Sequence, residues 1–317
     1  MTKTALITGI SGQDGRCLAA HLNSLGYEVH GTSRSSSAPI SGCRATIHQC
    51  DLMSTSKMDR IIRSVQPDEI YNLAAQTSVR ESWESPGYTV DVNGVSVASL
   101  MESVLSQCPS ARVFQAGSCE QFAGAADTPQ NEQTGFCPTS PFGASKVLAT
   151  HIIESFRKAY GLFACTGFLY SHESCNSAVD RVARKISKAA AAVKKGGRAG
   201  LVISDLHVVR EWGYAGDYVR AMHLLLQQEY PRDLVIATGR GATAWDFAVA
   251  AFRAADLDES VVRASIAGER GCQRVSALGA SLVGDPALAK MTIGWSAEVG
   301  MEDLAGKMVL HDLVRGS

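Results

Sequence analysis

The chain begins with an apolar run, Thr4 to Thr8, after which the apolar residues change their spacing. Leu18, Ala19, Leu22 and Leu25 recur at helical intervals within Arg16 to Leu25. The segment YEVHGTS returns to strand composition, which completes one strand, helix, strand unit. The alternation continues through strand IHQCDL, a helix from Met58 to Val65, strand EIYNLAA, a helix from Val92 to Leu105, strand ARVFQAGS, a helix from Gly143 to Tyr160 and strand FACTGFLY. Repetition of this kind predicts a parallel, doubly wound Rossmann-type sheet with right-handed crossovers. After Ser171 the rhythm breaks into a basic helix from Arg181 to Lys195, a short strand LVIS, a polar loop, another helix and a strand LVIAT. The expected organisation is α/β, with a dinucleotide-binding domain over residues 1–170 and a smaller mixed substrate lobe over 171–317, the two exchanging some elements.

Bulk composition narrows the function classes. With 317 residues, 45% of them apolar, the chain can build a full core and is not expected to be disordered. Its 30 basic and 31 acidic side chains leave a net charge of −1, so no global field draws it to nucleic acid or an anionic membrane. Any anion it binds must meet a local site. The nine cysteines lack the paired spacing of a zinc ribbon or a redox CxxC, which implies reduced thiols. MTKTALITG runs directly into a strand, and no stretch reaches the roughly 18 apolar residues of a membrane span. The expectation is a soluble cytoplasmic protein with neither nucleic-acid nor membrane partners.

Candidate chemistry starts at TGISGQDG, where Gly9, Gly12 and Gly15 follow the first strand and open the first helix, with Gln13 and Asp14 between them. Glycines there let the backbone turn and approach a pyrophosphate, while the helix N-terminus offers free N–H groups. A nicotinamide dinucleotide is the expected cofactor. Arg34 follows the second strand, where it suits a 2′-phosphate and favours NADP over NAD, and Asp51 and Leu52 close the third strand near the adenine.

The motifs TALITGISGQDG, IYNLAAQTSV, ESPGYTVDVNG, YGLFACTGFLYSHES, VARKI, REWGYAGDYV, LVIATG and GDPALAK resemble the extended short-chain dehydrogenase/reductases and, within them, the GDP-mannose 4,6-dehydratases. That resemblance covers most of the chain. It implies cofactor contacts at Leu73, Ala74, Ala75 and Lys146, catalytic roles for Ser118, Glu120 and Lys146, and substrate contacts at Ser171, Glu173, Arg184, Lys185 and Arg210. It also implies a homodimer or larger homo-oligomer. The family's catalytic tyrosine falls on Phe142 in SPFGASK, four residues before Lys146. Other departures from the family's pattern are Ser35, Ser171, Ser204, Asp205 and His207, with Arg274 the counterpart of a late family arginine.

In that family the phenol takes the proton of the sugar 4-hydroxyl while hydride leaves C4 for the nicotinamide, a base worth on the order of 10²–10⁴-fold in rate. Phenylalanine keeps the ring and loses the base. The expectation from Phe142 is therefore a GDP-hexose isomerase working without net redox change, a pyranose/furanose mutase or an epimerase, with Glu120 as base and any bound NADP without a redox role. A variant dehydratase and an inactive nucleotide-sugar binder are the alternatives. Asp205 and His207, two residues apart, are weak candidates for a Mg²⁺ or Mn²⁺ site against the diphosphate. Trp212 and Tyr218 are expected to pack beneath the phosphate loop.

Overall fold

The computed structural model describes residues 2–35, 42–203, 206–269 and 281–315. Seven parallel strands form the central sheet: β1 Thr4–Thr8, β2 Glu28–Ser33, β3 Thr46–Gln49, β4 Glu69–Asn72, β5 Arg112–Ala116, β6 Ala164–Leu169 and the strand Leu234–Ile236. Across the sheet the order is 234–236, β6, β5, β4, β1, β2, β3. The chain starts in the middle, winds outward to β3 and returns past β1 to wind the other way. Such a reversal leaves a crevice at the carboxyl ends of β1 and β4, where neighbouring crossovers part to opposite faces.

Side-chain alternation in the strands builds two apolar layers. Ala5, Ile7, Tyr71, Phe114 and Cys165 face helix α1 (Gln13–Ser24) and helix Ala215–Leu225, which bring in Leu18, Leu22, Val219, Met222 and Leu225. Leu6, Ile70, Val113 and Ala164 face the opposite way, onto Met58 and Ile62 of helix α2 (Thr55–Val65), Leu100 and Val104 of Ser96–Gln107, and Ala149 and Ile153 of Pro141–Tyr160. A separate core under the second lobe joins Ala183, Ile186, Trp212, Phe247, Phe252, Leu304 and Met308.

The structure differs from the sequence expectations at three places. The strand within LVIAT belongs to the main sheet, pairing in parallel with β6 through Leu234↔Gly167, because β6 needs a hydrogen-bonding neighbour on its outer side. The helix expected from Val92 begins at Pro86 and passes through a π-type turn at Asp91–Val95 before continuing to Gln107. Helix Ala244–Ala254 and the terminal helix Met301–Arg315, absent from the sequence reading, pack on the basic helix Val182–Lys194. No helix among the described residues is long and apolar enough to cross a membrane.

Candidate active site

At the carboxyl end of β1, Gly9 adopts φ +69°, a left-handed conformation open to glycine at little cost, and a Cβ there would stand 2.9 Å from the Ala74 backbone. At Gly15 a Cβ would meet the Gly9 carbonyl oxygen at 2.5 Å. Side chains are thus sterically excluded from the turn that opens α1, which is the space a pyrophosphate needs against a helix N-terminus. The loop after β4 is pinned to the same place: Thr8 Oγ1 accepts the N–H groups of Leu73 at 3.1 Å and Ala74 at 3.0 Å and donates to Asn72. Ala75 follows, partly buried. Gly9, Gly12 and Gly15 and the loop of Leu73 and Ala74 therefore border one cradle at the end of β1, with Ala75 next along the chain.

The other expected cofactor residues are placed less uniformly. Gln13 and Asp14, in the first turn of α1, face the segment 172–177 rather than open space. Gln13 Oε1 accepts from Ser174 and Ser177, and Asp14 is paired with His172 at 3.0 Å. Burial alone would raise the Asp14 carboxyl, but the His172 charge and its hydrogen bond hold it below the usual carboxylate range. His172 in turn is raised: burial disfavours its charge, and Asp14 together with the Tyr170 carbonyl at 2.7 Å overrides that. Arg34 lies exposed beyond β2, where Nη1 donates to Tyr88 Oη at 2.8 Å. Asp51 is exposed and accepts the Met53 N–H, while Leu52 is buried.

Beyond β5 the chain forms a short 3₁₀ turn, Cys119–Phe122, with Ser118 as its cap. Ser118 Oγ accepts the Glu120 N–H at 3.2 Å, and Gln121 Oε1 accepts the Ser118 N–H at 2.9 Å. Gln121 Nε2 donates to Thr150 Oγ1, fastening this turn to helix Pro141–Tyr160. The helix approaches so closely that a Cβ at Gly143 would lie 2.5 Å from the Glu120 carbonyl oxygen. Phe142 and Lys146 stand one turn apart on this helix, which packs on the turn that carries Ser118 and Glu120. The Phe142 ring is buried, and Lys146 Nζ stands 5.9 Å from its centroid, donating to the Ala116 carbonyl at 2.9 Å. Burial lowers the Lys146 amine to about 8. Burial also raises Glu120, opposed by the positive charge of Arg210. Arg210 Nε is itself buried without a hydrogen-bond partner.

Asn93 was not marked by the sequence reading. The π-type turn brings it inward, where Oδ1 accepts the Gln76 N–H and Nδ2 donates to the Gln76 carbonyl and to Ser145 Oγ, all within 3.1 Å. It thereby locks the loop after β4 to the helix that carries Phe142 and Lys146. Its place in VDVNG, inside an amphipathic helix, gave no sign of this.

In the second lobe the expected substrate residues separate. Arg184 is buried and ion-paired with Asp312 of the terminal helix, with Ser187 completing the cluster, so its guanidinium is directed away from the site. Lys185 is exposed on the same helix. The Ser171 carbonyl accepts the Gly213 N–H, and buried Glu173 accepts from Ser177 Oγ. Trp212 stacks on Phe247 with ring centroids 4.6 Å apart, and Tyr218 stacks on His172 at 4.2 Å, so both are packing residues. His207 is exposed with Asp246 as a charged neighbour, whereas Ser204, Asp205 and Arg274 lie outside the described residues. Among the described residues no group of three or more His, Cys, Asp or Glu side chains could hold a metal ion.

Comparison with known proteins is consistent along the whole chain. Residues 6–308 match the profile of the family described as GDP-mannose 4,6 dehydratase. GDP-mannose 4,6 dehydratase 2 of Arabidopsis thaliana is 40% identical, over 98% of this chain and 87% of its own length. The GDP-mannose 4,6-dehydratase of Vibrio cholerae is 34% identical, over 99% of this chain and 94% of its own. A dTDP-glucose 4,6-dehydratase from Streptomyces venezuelae, solved with NAD bound, superposes with a TM-score of 0.84 at 19% identity, covering 98% of this chain and 97% of that one, a likeness of fold. These relatives overturn the expectation of an isomerase: they are named as dehydratases, which are lyases, and the mutase and epimerase readings built on Phe142 fall with it.

Proposed function

This chain belongs to the GDP-mannose 4,6-dehydratase family, and we propose that it is itself a 4,6-dehydratase acting on a GDP-hexose of the GDP-mannose type. What supports the reading is that Ser118 and Glu120 stand in the turn after β5, that the helix carrying Lys146 packs on that turn with Lys146 Nζ donating to Ala116, and that the Arg210 charge acts on Glu120.

Removing water from a hexose requires one group to take a proton from carbon and another to give one to the departing hydroxyl. Glu120 suits both halves, because burial raises its carboxyl toward neutrality while Arg210 restrains the rise. Ser118 offers a hydroxyl to orient and polarise the sugar, and Arg210 can form a bidentate pair with a diphosphate. A nicotinamide dinucleotide held by Gly9, Gly12, Gly15 and the loop 73–75 would supply a reversible hydride acceptor, with Arg34 selecting NADP. Lys146 is placed to hold the nicotinamide ribose and to serve the proton leaving the sugar 4-hydroxyl, since its lowered pKa makes the neutral amine accessible near pH 8. A homodimer or larger homo-oligomer belongs to the same reading, supported by the exposed Trp83, Val95 and Leu148 on neighbouring helices.

Phe142 favours a second reading, a nucleotide-sugar binder without turnover. Incubating the protein with GDP-mannose and NADP separates the two by product mass. The dehydratase reading expects a slow product lighter by one water, and Phe142→Tyr is expected to speed it by about 10²-fold or more. Intact substrate from both proteins, with GDP-mannose still bound, establishes the binder instead.

A further inference from the structure

Arg181 lies just before helix Val182–Lys194 in the second lobe, three residues ahead of the inward-turned Arg184. Its side chain is exposed and crosses to the other lobe, where Nη2 donates to Thr77 Oγ1 at 3.3 Å on the loop that follows β4. Its charge also acts on Asp14 in the first turn of α1 and on Glu173. Thr77, Asp14 and Glu173 come from three separate segments that border the glycine cradle.

A pyrophosphate entering the cradle meets the N–H groups of α1, and the two carboxyl groups nearby are turned to partners of their own. Asp14 is matched by His172, and Glu173 accepts from Ser177 Oγ. Of the three basic side chains that the sequence suggested for a diphosphate, Arg184 is committed to Asp312, Lys185 makes no described contact with the cradle, and Arg210 acts on Glu120 beyond β5. Among the described residues the Arg181 side chain holds only a hydroxyl at hydrogen-bond distance, a partner that an anion readily displaces because charge-assisted bonds are roughly twice as strong.

We propose that Arg181 binds the pyrophosphate of the dinucleotide, closing the cofactor cradle from the substrate lobe. This rests on the dinucleotide reading given above. A guanidinium is suited to the task because its planar fork can take two phosphate oxygens at once while staying charged at every working pH. The consequence is that cofactor binding joins the two lobes, since the cradle belongs to one and its closing cation to the other.

The GDP-sugar also carries a diphosphate, so the test has two ligand arms. Wild type, Arg181→Gln and Arg181→Lys are titrated with NADPH by fluorescence and with GDP by calorimetry, each at low and high salt. Arg181→Gln is expected to weaken NADPH about tenfold and to flatten its salt dependence, Arg181→Lys to weaken it less, and GDP affinity to stay within about twofold. Unchanged NADPH affinity in Arg181→Gln overturns the proposal. A loss confined to GDP also overturns it and moves Arg181 to the substrate. If wild type itself binds neither NADPH nor NADP, the dinucleotide reading falls and the role of Arg181 falls with it, a result visible in the wild-type arm alone.

Discussion

A carboxyl group that must both accept and return a proton works best when neither of its states is strongly favoured. In the proposed dehydratase that group is Glu120, which is drawn two ways, burial pushing it toward the acid and the Arg210 guanidinium toward the carboxylate, with burial prevailing. Asp14 and His172 show the opposite design, each fixing the other in its charged form. The sign of their contribution to stability follows from linkage. His172 is raised, so its share is complete below its ordinary value of 6.5 and is lost as pH climbs through its folded value. Asp14 is lowered, so its share is complete above its ordinary 3.8 and is lost as pH falls through its folded value. Asp14→Asn should therefore cost about 1–2 kcal/mol in urea denaturation at pH 6, and the deficit should shrink above the folded pKa of His172. Some of these roles were legible in the chain and some were not. The placing of Phe142 and Lys146 on neighbouring turns could be read because four residues separate them along one helix. Arg181 could not, because it sits beside Arg184 and Lys185 and only the fold reveals which of the three reaches the cradle.

Each of the elements around the site is held by a side chain that bridges to another element. Gln121 ties the 3₁₀ turn to helix Pro141–Tyr160, and Asn93 ties that helix to the loop after β4. Both are buried and hydrogen-bonded through the oxygen and the nitrogen of the amide, the condition under which a buried amide fixes geometry instead of weakening a core. Arg184 plays the equivalent part in the second lobe by joining Val182–Lys194 to Met301–Arg315 through Asp312. Breaking that buried pair with Arg184→Met should cost about 3–5 kcal/mol by chemical denaturation, since Asp312 is left charged and unpaired, whereas Arg184→Met with Asp312→Leu should recover most of the loss. GDP affinity in the double variant should match wild type. A GDP affinity at least tenfold weaker there would return Arg184 to the diphosphate.

The whole molecule is less divisible than its strand and helix rhythm implies. Strand Leu234–Ile236 covers the open edge of β6, helix Ala215–Leu225 covers the face containing Phe114 and Cys165, and Trp295 completes that layer. All three come after residue 170. A fragment of residues 1–170 should therefore lack a cooperative thermal transition and aggregate through its exposed β6 edge, while the full chain melts cooperatively. A sharp, reversible melt from the fragment would show that the first lobe folds alone. Strand and helix periodicity and the length of the matching motifs were enough to establish the doubly wound sheet and the family, because each depends on residues close together in sequence. Which basic residue crosses between the lobes, which strand closes the sheet and which asparagine locks the loop after β4 to helix Pro141–Tyr160 were decided only once distant segments had packed together. These depend on burial and on contacts between residues scores of positions apart, and such contacts leave no periodic trace in the chain.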